Sequence, residues 1–193
     1  MTRKHKKQYL ETIYPYNEND NSYYIELSLN DYDELFNGWD ASPLKRRDLE
    51  PELLDYLEEA CYDIPSRSKM EIHCIMNDKS KDKQKEVKSL DSFKYNFIMT
   101  EHFINKQINR NVRKIVIYVL LSAFFLTFAY MMPKLHDLDI LFSILVEGLF
   151  IGGWVMLWEV FTLFFFDGYE LRVRKRHINR LKSSTIKFIY KKL

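Results

Sequence analysis

Residues 115–132 read Ile-Val-Ile-Tyr-Val-Leu-Leu-Ser-Ala-Phe-Phe-Leu-Thr-Phe-Ala-Tyr-Met-Met, eighteen in a row without a charge. As a helix this run is ~27 Å long, close to the ~30 Å hydrocarbon core of a bilayer. Pro133 then stops or kinks it. A second apolar run covers residues 140–166, 27 residues interrupted only by Glu147 and Glu159. At ~40 Å it must tilt or emerge into the interface. The connector Lys134-Leu-His-Asp-Leu-Asp139 is short enough to permit only an antiparallel hairpin. A core helix of a soluble protein is the alternative, and two adjacent runs this apolar argue against it.

Basic residues flank the pair. Lys106, Arg110, Arg113 and Lys114 precede the first run, and Arg172, Arg174, Lys175, Arg176, Arg180 and Lys182 follow the second. The connector has Lys134 alone. Lys and Arg collect on the cytoplasmic side of spans, so both termini are expected there, with Arg172, Arg174, Lys175 and Arg176 at the interface. The N-terminus is polar and basic, with no cleavable signal peptide expected, and the first span acts as the insertion signal. Cys61 and Cys74 then lie in a reducing compartment as free thiols.

The whole chain has 193 residues and a net charge of only +2, with 47% hydrophobic and 29% charged residues. Aromatic residues at 16% exclude a chain disordered throughout, and two cysteines exclude a disulfide scaffold. The balanced net charge hides a division. Residues 8–76 carry 5 basic and 16 acidic residues, whereas residues 168–193 carry 9 basic and 1 acidic. The basic tail can dock on the acidic part or on anionic headgroups, and the positive-inside bias explains it without nucleic acid.

Residues 1–22 show no periodicity and are expected to form a loose polar arm. Tyr23, Ile25, Leu27 and Leu29 alternate as in a half-buried strand. A short helical turn is expected at 32–36. Pro51 opens a helix whose apolar stripe is Leu53, Leu57, Ala60 and Cys61, ended by Ile64-Pro65. Met70, Ile72, Cys74 and Met76 mark a second strand. The roughly forty-residue helical connection suits parallel pairing. Residues 77–88 read as a charged loop. Ser89 is a plausible cap for a helix through Leu90, Phe93, Phe97 and Ile104 that runs on into the first span. Residues 185–190 read as a third strand returning to the same sheet, with an interfacial basic amphipathic tail as the rival reading. The fold expected is thus an α/β cytosolic domain with a small, about three-stranded sheet, on an antiparallel two-helix transmembrane hairpin. Its parts are the arm 1–22, the domain with its juxtamembrane helix 23–110, the hairpin 111–167 and the basic helix and strand 168–193.

Few residues suggest chemistry. Glu147 and Glu159 are carboxylates inside apolar runs, where charge costs a few kcal/mol and suggests function or snorkelling. Twelve residues apart, they cannot form a dyad. Gly148 and Gly152 form a small-xxx-small face aligned with Glu159, suited to close helix approach, and Gly153 adjoins it. That face is expected to meet the first span or another subunit, with Glu159 accepting from Ser122, Thr127 or Tyr130. Trp154 and Trp158 suit an interface, which makes snorkelling the competing account. Cys61, His73 and Cys74 lack zinc spacing, and His73 and Cys74 point to opposite strand faces. Asp31, Asp33 and Glu34, with Asp40, could attract a cation, but a solvated acidic surface is the reading preferred. No catalytic grouping, metal or cofactor is expected.

Leu49-Glu-Pro-Glu-Leu-Leu-Asp-Tyr-Leu57, Asp63-Ile-Pro65, the strand 70–76, Glu147-Gly148 and Gly153-Trp-Val-Met-Leu-Trp158 together resemble a family of small bacterial membrane proteins of unknown activity. The resemblance covers roughly residues 23–185. It implies two spans in the bacterial inner membrane and a cytosolic domain divided around them. Glu159-Val160 stands where that family has Arg-Pro. Three functions fit these features. The first is a membrane-anchored cytosolic interaction module that binds a protein partner or self-associates through the second span. The second is a homo-oligomeric channel or membrane-permeabilising effector. The third is a lipid-handling enzyme at the membrane surface, which would need convergent polar residues that the sequence supplies only singly.

Overall fold

The structure is a computed structural model that describes residues 3–132 and 140–192. The connector 134–139 and Pro133 lie outside the described residues. The chain divides into two compact units, Met1–His102 with Arg174–Leu193, and Phe103–Val173.

The first unit is built on a four-stranded mixed sheet in the order β1-β2-β3-β4. Its strands are β1 (Tyr16–Asn17), β2 (Ser22–Ser28), β3 (Lys69–Asn77) and β4 (Thr185–Lys191). β1 and β2 pair antiparallel, and β2, β3 and β4 run parallel. The register sets Ile25, Ile72 and Ile186 side by side, and likewise Leu27, Cys74 and Phe188. These side chains share one face because strand side chains alternate. Tyr23, Ile25, Leu27, Met70, Ile72, Cys74 and Met76 on that face are buried. The helical side of the core supplies Leu57 and Ala60 from α2 (Pro51–Asp63), Phe93 and Phe97 from α3 (Lys83–Met131), and Ile178 and Leu181 from α5 (Gly168–Ser183).

The described part of the expected loose arm, residues 3–22, is ordered into two elements. Arg3–Ile13 forms helix α1, and Tyr16–Asn17 forms β1. Leu10 and, just past the helix, Tyr14 are one turn apart and both buried, so two anchors suffice where no long apolar period exists. Asn21, at φ 50°, makes the turn into β2, a conformation Asn tolerates through its short polar side chain.

The start of α3 also differs. The helix begins at Lys83, inside the expected loop, where Asp82 Oδ1 accepts from the backbone N–H of Gln84 and Lys85 at 2.8 and 3.2 Å. Asp82 is therefore the cap, and its carboxyl lies below the usual range because those N–H groups stabilise the anion. Ser89 is buried within the helix.

In the second unit, α3 continues to Met131 and α4 covers Ile140–Phe161. A π-helical turn, Thr162–Asp167, joins α4 to α5. Among the described residues, two helices are long and apolar enough to cross a membrane. Only 11% of each apolar window is buried, the reverse of a soluble core helix.

Candidate functional site

All the fully buried apolar side chains of β2 and β3 lie on the helix-covered face. The opposite face is open. It sets Tyr24 beside Glu71 and Thr185, Glu26 beside His73 and Lys187, and Ser28 beside Ile75 and Ile189. Glu71 organises its centre. Glu71 Oε2 accepts from Lys187 Nζ at 2.7 Å and lies 3.0 Å from His73 Nε2. The lysine bond, ahead of the histidine, holds the Glu71 carboxyl below the usual range, and the same contact raises Lys187. Tyr24 stacks on the His73 ring at 4.3 Å, and Asn17 Nδ2 donates to the Tyr24 hydroxyl at 2.8 Å. This patch has flat aromatic surface and fixed charges, which suits recognition. It places no nucleophile beside a base.

Ligands of open parallel sheets usually bind at the carboxyl ends of the strands. Here the chain's own phenols fill that end. The Tyr32 and Tyr190 hydroxyls are 2.7 Å apart, Tyr190 donates to Glu86 Oε2 at 2.7 Å, and Lys81 Nζ lies 4.9 Å from the centre of the Tyr190 ring. Burial first, then these hydroxyl and carboxylate neighbours, push the Tyr190 phenol far above its ordinary value.

Two clefts flank the amino ends of β3 and β4. One, of about 330 Å³, is lined by Arg67, Lys69, Glu71, Arg180 and Thr185. Arg180 is committed there to four carbonyl oxygens, those of Cys61, Ile64, Pro65 and Ser68, at 2.7–3.1 Å. The other, of about 300 Å³, lies between α3 and β4. Leu90, Phe97, Leu181 and Ile186 line it, with Lys94 and Lys182 alongside. It adjoins the outer edge of the sheet, since β4 is the terminal strand.

The acidic residues singled out in the sequence each hold a structural partner. Asp31 pairs with Lys85, Asp33 with Arg47, and Asp40 accepts from the Ser42 and Asp48 backbones. Glu34 accepts from Asn30. Among the described residues no group of three His, Cys, Asp or Glu side chains could hold a metal ion. Cys61 and Cys74 are buried, and burial pushes both thiols up to about 12.

The glycines of the second apolar helix differ in their surroundings. A Cβ at Gly148 or Gly152 would meet nothing within 4 Å, so the small-xxx-small face does not pack against the first helix. The contact is at Gly153, where a Cβ would come within 2.8 Å of Leu126. Ser122 Oγ donates to the Gly153 carbonyl at 2.8 Å and not to Glu159. Glu147 and Glu159 are exposed, with no bond to another described residue. Trp154 and Trp158 are exposed along the same helix.

The basic residues after the second run divide by role. Arg174 makes a two-pronged pair with Glu58 at 2.9–3.1 Å, which clamps α5 to α2. Arg172 reaches the Phe164 carbonyl at 3.5 Å, in the π-helical turn. Lys175 is half-buried and Arg176 exposed. Trp39, 97% exposed after Asn37-Gly38, drew no attention in the sequence. Its signal was an aromatic side chain at a turn, where no core residue is expected.

Comparison with protein-family models, with curated proteins and with solved structures gives no match.

Proposed function

We propose that this chain is an interaction module anchored in the cytoplasmic membrane of a bacterium by a two-helix hairpin. Its α/β unit presents an uncovered sheet to a protein partner in the cytoplasm. The observation that carries this reading is the one-sided sheet. Helices cover one face, while the other carries exposed Glu26 and Lys187 and half-buried Tyr24 and Ile189, with His73 buried beneath the Tyr24 ring and the Glu71 carboxylate. The two exposed apolar helices supply the anchor, and the flanking basic residues favour cytoplasmic termini. Arg172, Lys175 and Arg176 face anionic headgroups in this arrangement, at about 1 kcal/mol per charge near the surface.

Glu147 and Glu159 favour a second reading. Exposed carboxylates on an apolar helix are costly against lipid and are relieved by a neighbouring subunit. Several copies would then line a channel. Native mass spectrometry of the protein extracted from its own membranes in mild detergent separates the two. A monomer or dimer carrying a second, stoichiometric protein is expected for the module. Four or more copies without it would favour the channel. A lone monomer would overturn both.

A further inference from the structure

We propose that the outer edge of β4 binds an extended acidic segment of the partner protein, which adds a fifth strand to the sheet. The proposal rests on the interaction-module reading and names its surface. β4 is the terminal strand of the sheet over all seven of its residues, Thr185–Lys191. Its inner side is paired to β3 along the whole strand. No backbone hydrogen bond from another described residue reaches its outer side. Such an edge is a template for one more strand, in which main-chain bonds give affinity and side-chain pockets give selectivity.

The neighbouring cleft supplies the pocket. Leu90, Phe97, Leu181 and Ile186 make its floor beside the first residues of β4. A strand laid along the edge would place every second side chain on the cleft side, so one large apolar residue would enter it. The surrounding charge selects the rest of the segment. Lys94, Lys191 and Lys192 are exposed and have no carboxylate partner among the described residues. The strand itself carries no acidic residue. Lysines on an edge also repel chance pairing, and a second copy of the same basic strand is the pairing they disfavour most. An acidic strand is the one they admit.

The test uses the full-length protein in its own host, with a photo-crosslinking benzoylphenylalanine at position 94, 191 or, as the open-face comparison, 26. Expected are adducts from positions 94 and 191 to one peptide of a partner protein, with alternating apolar and Asp or Glu residues. Adduct yield at 191 should fall at least fivefold when Lys94→Glu is added; Lys94 is exposed, so this change leaves the fold intact. Adducts to a second copy of this chain would overturn the acidic partner. Lys191 shares the open face with Lys187, so adducts from position 26, alone or together with 191 but without 94, would overturn the edge but leave the module reading standing. No protein adduct at any of the three positions would overturn both.

Discussion

Arg180 shows what a single side chain holds together. The last carbonyls of a helix have no partner within it. At the end of α2 the guanidinium of Arg180 meets the Cys61 and Ile64 oxygens through one nitrogen, and the Pro65 and Ser68 oxygens through the other. One residue of α5 thus fixes the path from α2 into β3. Arg180→Ala should destabilise the first unit by about 2–4 kcal/mol, since it strands several part-buried acceptors at once. Arg180→Lys should recover less than half of that, because an ammonium cannot span two pairs of oxygens as the planar fork does. Urea unfolding of the detergent-solubilised protein, followed by near-UV circular dichroism, would check both. Equal midpoints for wild type and Arg180→Ala would remove the clamp. This role was not legible in the sequence. Nine basic residues crowd the tail, and the spacing of Arg180 does not differ from that of its neighbours. Its partners are 112–119 positions away, so only tertiary structure distinguishes the clamps Arg174 and Arg180 from the exposed Arg176.

Among the elements, α4 carries the sharpest contrast. Three glycines fall within six residues, and the sequence pattern favours Gly148 and Gly152. Packing selects Gly153. Its missing side chain lets Leu126 of α3 approach, and its carbonyl accepts from Ser122. Close approach, and not the conformational freedom of glycine, is what the position needs. Gly153→Val should therefore weaken the α3–α4 contact by about 1–3 kcal/mol through overpacking. Gly152→Val should change it by less than about 0.5 kcal/mol, as an open surface position does. Unfolding in mixed micelles of rising dodecyl sulfate fraction would rank the variants, and the reverse order would refute the packing. Strand periodicity was legible for the opposite reason. Each of β2 and β3 buries one face completely, so the core-facing residues follow from period two, whereas the burial of Ser22 and His73 on the other face does not. α1 was missed because two apolar anchors do not make a periodic signal, and the α3 start was misplaced because Asp82 sits among other charged residues.

At the scale of the molecule, the sheet constrains how the chain meets a membrane. β3 and β4 are hydrogen-bonded neighbours, yet both apolar helices lie between them in the chain. Strands of one sheet share one compartment, so the intervening chain crosses a bilayer an even number of times. On the proposed reading the two helices of spanning length make two crossings, and the basic flanks set the sheet on the cytoplasmic side. Cysteine labelling of spheroplasts with a membrane-impermeant maleimide tests this directly. The background is low by construction of the fold: Cys61 and Cys74 are buried, and thiols pushed up to about 12 are almost wholly protonated at neutral pH. Ser66→Cys, exposed in the first unit, should label only after lysis, whereas Asp137→Cys, between the two apolar helices in the sequence, should label in intact spheroplasts. Labelling of Ser66→Cys before lysis would place the sheet outside and remove a cytoplasmic partner from consideration. Both positions labelling only after lysis would mean that neither helix crosses. The exposed apolar surface of α3 and α4 would then have to be covered by protein, and the docking surface of this molecule would be its helices instead of its sheet.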